Sequence, residues 1–178
     1  MNFCDITLSG LGRNCEGNKG GISTLYLAVY QPNIFTVDDT DGVITGLASG
    51  ATVDFYEYNL PKGTASLTQT ATRDDANGVN YITSTLNVVF HRMRAEARME
   101  VSALLVGDVM GVVVDNNGTA YAIGNEEPVT STSFEGNTGT AKSDMNGYTL
   151  GLSADSNSPL YTLTDEALAA VKAKVKNV

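Results

Sequence analysis

The sequence predicts a mainly β protein, an antiparallel β-sandwich or barrel with one packed helix and a short C-terminal helix. Three observations lead there. Only 17% of the residues are charged, below the usual quarter, and Gly, Thr, Ser and Asn fill the gap, which suits strands joined by many turns. Short runs of β-branched and aromatic residues alternate with turn sequences such as Asn77-Gly78 and Asn117-Gly118. A hydrophobic content of 42% over 178 residues supports one domain with a real core. The predicted organisation is an extended Gly-rich arm over residues 1–21 and a single β domain over 22–178, with helices near 92–106 and 164–175.

The arm carries Gly10, Gly12, Gly17, Gly20 and Gly21, too many for a packed element. Ser23–Tyr30 is the first strong strand. A turn at Asp38–Gly42 leads to Val43–Leu47, and Ser49-Gly50 leads to Ala51–Tyr58. In that last run Val53, Phe55 and Glu57 share one face and Thr52, Asp54, Tyr56 and Tyr58 the other, the period of a half-buried strand. Thr64–Arg73 alternates Thr with small or apolar residues and reads as an exposed strand. Asp74–Gly78 closes a hairpin, since Asn-Gly supplies the positive φ of tight β-turns. Asn80–Phe90 is the longest β run and exceeds the usual five or six residues.

Between Arg92 and Val106 the pattern changes. Met93, Ala97, Val101, Leu104 and Leu105 fall on one helical stripe, with the Arg and Glu residues mostly off it. A continued strand is the competing reading, and the helix is preferred. Val109–Val114 is a fully apolar buried strand, Asp115–Gly118 a hairpin turn, and Thr119–Ile123 the return. A polar stretch over 124–143 contains a short strand at Val129–Phe134, and Tyr148–Ser153 alternates cleanly. Thr164 caps a final helix, with Asp165 and Glu166 in its first turn and lysines near its end, both favourable to the helix dipole. Leu168, Val171 and Val175 would dock it. The count is eight or nine strands and two helices.

The sequence offers catalysis no foothold. His91 is the only histidine, so any triad rests on it alone. Cys4 and Cys15 have neither redox-motif nor zinc spacing and read as free thiols. Gly10-Leu11-Gly12-Arg13-Asn14-Cys15 lacks the third glycine of a dinucleotide loop. The acidic Asp38–Gly42 stretch fails as an EF-hand, with Val37 and Ala48 where ligands belong. Neither a cofactor nor a metal is expected, nor a membrane partner: no secretory signal opens the chain and no apolar run is long enough to span a bilayer. A net charge of −9 opposes binding to nucleic acid.

The second half carries a recognisable cadence. A charged helical segment, RMRAEARMEVSALL, precedes an apolar strand, then DNNGTAYAIG, then GNTGTAKSDMNGYTLGL and a final short helix. Over roughly residues 80–165 this resembles the tail-tube and related virion structural proteins of tailed phages, particularly those infecting gut Bacteroidetes. The resemblance implies a β-sandwich or barrel whose copies close into rings, usually hexamers, that stack into a tube. It also implies neighbouring tail or neck proteins as partners, a location in the virion tail after synthesis in the host cytoplasm, and DNA that passes without specific binding. It carries over no catalytic residue. A head–tail adaptor ring or capsid-associated protein is the nearest alternative, and a carbohydrate- or ligand-binding β-sandwich a more distant one. Six copies would carry six times the chain's acidity, so a negative lumen is expected. Arg92, Arg94 and Arg98 cluster in this acidic chain and are the candidate subunit-interface residues. The plainer reading of them is a solvated helix face with a local Arg92–Glu96 pair.

Overall fold

The computed structural model describes residue 10, residues 17–38 and residues 40–176. In chain order the elements are β1 (Ile22–Val29), β2 (Phe35–Asp38), β3 (Val43–Leu47), β4 (Tyr56–Asn59), β5 (Ala65–Asp74) and β6 (Val79–His91). They continue with α1 (Ala95–Val106), β7 (Val109–Asp115), β8 (Ala120–Ile123), β9 (Thr130–Asn137), β10 (Gly147–Ser156), β11 (Thr162–Leu163) and α2 (Asp165–Ala173). Cys4, Cys15 and most of the Gly-rich arm lie outside the described residues.

The strands form two sheets, a seven-stranded one in the order β2-β3-β11-β8-β7-β1-β4 and a four-stranded one in the order β5-β6-β10-β9. Pairing is antiparallel except where β11 runs parallel to β3. The mainly β, two-sheet, two-helix architecture expected from the sequence is therefore present, as a sandwich rather than a closed barrel. Leu25 and Leu27 of β1, Val109 and Val113 of β7, Leu86 and Val88 of β6, and Leu150 and Leu152 of β10 fill the space between the sheets. Leu104 of α1 joins the same cluster.

A second cluster lies on the far face of the large sheet. Tyr26, Ala28, Met110 and Val112 point there and pack with Phe55, Ile44 and, from α2, Ala167 and Val171. Strand β7 is thus buried on both faces, which explains its unbroken apolar run rather than an alternating one. The close approach of β1 to β7 requires Gly111: a Cβ there would overlap the Tyr26 carbonyl oxygen. Thr164 caps α2 as its sequence suggests, its hydroxyl accepting from Ala167 N at 3.2 Å.

Several boundaries depart from expectation. The described residues form eleven strands rather than eight or nine, because β2 and the two-residue β11 are too short and too mixed to stand out. The run Ala51–Tyr58 is not one strand. Val53 and Phe55 are buried as predicted, but Glu57 is exposed and only Tyr56–Asn59 pairs with β1. Phe55 instead bridges to Val175 at the end of α2, so the segment turns from one layer toward another. The first helix begins at Ala95, not Arg92. Arg92 sits in the left-handed region at φ 66° and cannot extend a helix. Leu105, placed on the buried stripe, is 37% exposed, while Val101 and Leu104 carry the packing. The acidic loop is a solvated turn, with Asp38 Oδ1 accepting from Thr40 N at 2.9 Å.

Candidate assembly surface

The small sheet has two unpaired edges. β5 is bonded only to β6, and β9 only to β10. Because Val89 N donates to Thr64 O at 2.8 Å, even-numbered residues of β5 exchange bonds with β6, and the odd-numbered ones direct their N–H and C=O outward. Residues 65, 67, 69, 71 and 73 therefore offer a free hydrogen-bonding ladder. Among the described residues the outer edge of β9 is free along Thr130–Asn137, while Val129 just before it exchanges backbone bonds with Val109 of β7 at 2.7 and 3.1 Å. α1 packs beside β9.

The face of this sheet turned away from the core follows from register. Leu86, Val88, Leu150 and Leu152 point inward, so Ser66, Thr68, Thr70 and Thr72 of β5 point out. Thr83, Thr85 and Asn87 of β6 lie beside them, with Thr149 and Ser153 of β10 next. The acidic side chains on this face are Asp74, Glu135 and Asp155. No Lys or Arg occupies an outward position on the four strands. Thr83 Oγ1 donates to Asp155 Oδ1 at 2.7 Å, tying two strands across the face. The alternation of Thr in Thr64–Arg73 was the sequence signal for this surface, but it marks only exposure. Which strands stand beside it comes from the fold.

Arg92, Arg94 and Arg98 are all exposed, where β6 ends and α1 begins. Arg92 N donates to Asn146 O at 2.6 Å and Met93 N to Asn146 Oδ1 at 3.1 Å, holding this junction against the β9–β10 loop. Arg94 occupies the N-cap position of α1 with no side-chain bond to the helix. Arg98 stands one turn further on, its N–H donating to Arg94 O at 2.9 Å. The ion pairs among the described residues are Arg73–Asp75 and Lys176–Asp54, and the suggested Arg92–Glu96 pair does not form. Three cations at a helix N-terminus oppose its dipole, so these residues do not serve α1's own stability. His91 is the exposed last residue of β6, opposite Gly147.

Tyr58 fastens α1 to the sandwich. Its hydroxyl donates to Glu100 Oε2 at 2.7 Å and its ring meets Phe90 edge to face at 6.0 Å. Burial first, then the bond to Glu100, pushes the phenol's pKa well above its ordinary value. An open groove of about 560 Å³ runs beside it between β4 and α1, lined by Val29, Tyr56, Ala103 and Leu104 among others. Among the described residues no group of three or more His, Cys, Asp or Glu side chains is placed to hold a metal ion, and no helix is long and apolar enough to cross a membrane.

The fold and this surface define a mainly antiparallel two-sheet β protein whose smaller sheet is open at both edges. No protein-family model, curated protein or solved structure matches the chain.

Proposed function

We propose that this chain is a virion structural protein, a subunit that closes into rings and stacks into the tail tube of a tailed phage. Its role is architectural rather than catalytic. The observation that carries the reading is the four-stranded antiparallel sheet with two free edges. Because the number of strands is even, β5 and β9 run in opposite directions. When identical copies stand side by side around an axis, β5 of one meets β9 of the next antiparallel, and every junction repeats the same pairing. That is a head-to-tail interface able to close a ring, and closure removes the exposed edges that otherwise invite uncontrolled aggregation.

The hydroxyl-rich outward face then lines the interior of the ring. DNA adheres to proteins chiefly through Lys and Arg at its phosphates. A wall of Thr, Ser and Asn with a few carboxylates gives a polyanion nothing to hold, and the net charge of −9 per copy adds repulsion. The cadence of the second half of the sequence supports the same use. The test is to measure the purified chain's mass by light scattering and to image the same fractions by negative stain. Rings with a central channel, or tubes of them, are the expected result. A monomer at every concentration, with and without tail components from the same virion, would overturn the reading.

A further inference from the structure

The two ends of the small sheet differ in charge: one is acidic, and the other bears a cluster of exposed arginines. At the end where β5 turns into β6, where β10 finishes and where β9 starts, Asp74, Asp75, Asp155, Glu126 and Glu127 collect. Their placement is fixed by contacts. Asp74 pairs with Val79 across the hairpin, Asp155 pairs with Thr83, and Glu126 Oε2 accepts from Asn157 N at 2.8 Å just past the end of β10. The one cation on these segments, Arg73, is already bound to Asp75 at 2.7 Å. The Asp74 carboxyl is held below its ordinary pKa by Asn77, through the side-chain amide and then the backbone N–H, so it stays ionised.

At the opposite end β6 finishes, β10 starts and β9 finishes. Here Arg92, Arg94 and Arg98 stand beside the β9–β10 loop that contains Lys142 and that Arg92 N and Met93 N grip at Asn146, and Lys62 lies just before β5 at the same end of the sheet. Acids stand here too: Glu57, Glu96 and Glu100 line the hollow beside Arg94, Glu100 is bonded to Tyr58, and Glu135 and Asp144 lie on β9 and in the β9–β10 loop. The Asp144 carboxylate already accepts backbone N–H bonds from Ala141 and Thr140 at 2.7 and 2.8 Å. Arg92, Arg94 and Arg98 are in no ion pair among the described residues.

In a ring closed through β5 and β9, which is the reading argued above, the strand edges are used up between neighbours. The strand ends then face along the axis. From this we infer that rings stack head to tail by charge, the Arg92–Arg94–Arg98 end of one copy resting on the Asp75–Glu127–Asp155 end of a second copy in the next ring. The arrangement makes the tube polar: like ends repel, so a ring added upside down is rejected. It also explains why cations are placed where they oppose the dipole of α1.

Two charge reversals of the full chain test this. Arg92→Glu/Arg94→Glu/Arg98→Glu makes both ends acidic, and Asp75→Lys/Glu127→Lys/Asp155→Lys makes both ends basic. Each alone is expected to give rings by light scattering and negative stain but no tubes. Mixing preformed rings of the two is expected to restore tubes of alternating composition. With the unaltered protein, raising salt from about 0.1 M to about 1 M shortens the screening length from about 10 Å to about 3 Å and is expected to dissociate tubes into rings. Tubes formed by either reversed protein alone at wild-type length, or tubes indifferent to salt, overturn the stacking inference and leave the ring reading standing. Reversed rings that fail to stack when mixed overturn it as well. The absence of any ring from the unaltered chain overturns both.

Discussion

At Gly111 a single hydrogen atom decides whether β1 and β7 can pair. A Cβ would collide with the Tyr26 carbonyl, and backbone has no rotamer with which to yield. Gly111→Ala is therefore expected to lower stability by about 3 kcal/mol through overpacking of a doubly buried strand, read as a drop in urea midpoint. Tyr58 governs the alkaline limit. Its pKa is raised in the folded chain, by burial and by Glu100, above the ordinary value of about 10 that it takes when unfolded. The stability it contributes is fully present below about pH 10 and is lost as pH climbs toward the shifted value, because the unfolded chain releases the proton first. A urea titration from neutral pH upward should stay flat on this account and then fall. Tyr58→Phe should cost about 1 kcal/mol near neutrality and flatten that alkaline fall.

Among the elements, α1 and α2 are opposites in construction. α2 has a side-chain cap at Thr164, acids in its first turn and Lys172 in its last, all in keeping with its dipole. α1 begins at Arg94 without a side-chain cap and has no basic residue in its last turn. Its position is held by Tyr58, by Leu104 in the core and by the Asn146 contacts, so it stands by packing rather than by its own ends. Arg94→Asp is expected to raise thermal stability by about 1 kcal/mol by supplying the missing cap. The same change is expected to weaken stacking of rings, a stability gain set against function. Calorimetry and electron microscopy on one preparation would show both effects, and a stabilised variant that still forms full-length tubes would count against the interface role of Arg94.

For the molecule as a whole, the question is how the open edges are satisfied. Ala71 directs its N–H away from β6, so Ala71→Pro removes a donor from the free edge while leaving every internal ladder bond intact. The variant is expected to fold with an unchanged melting curve and to fail to close rings in light scattering. Rings of normal mass from the Pro variant would mean that the edge is not the interface. Chain acidity has a second effect at this scale. With −9 per copy, assembly brings like charges together, so ring closure should be favoured as salt rises while stacking through opposite charges is weakened.

Turn chemistry and periodicity were enough to place most of the strands, because Asn77-Gly78 and Asn117-Gly118 mark hairpins by local conformational energy alone. The apolar stripe at Val101 and Leu104 likewise announced α1, and Thr164 announced α2. Local signals fail where the partner decides the outcome. β2 and β11 are strands because β3 lies alongside them, and Ala51–Tyr58 divides because Phe55 finds Val175 while Tyr58 finds Glu100 and Phe90. Local signals are enough for a mainly β chain, its acidity and the presence of an arginine cluster. That four strands form a separate sheet with edge strands running in opposite directions, and that an acidic cluster and the arginine cluster lie at its two ends, follows from the fold. Those facts depend on residues far apart in the chain, such as Thr83 and Asp155, 72 positions apart, brought together by burial of apolar surface, which has no preferred direction along the chain.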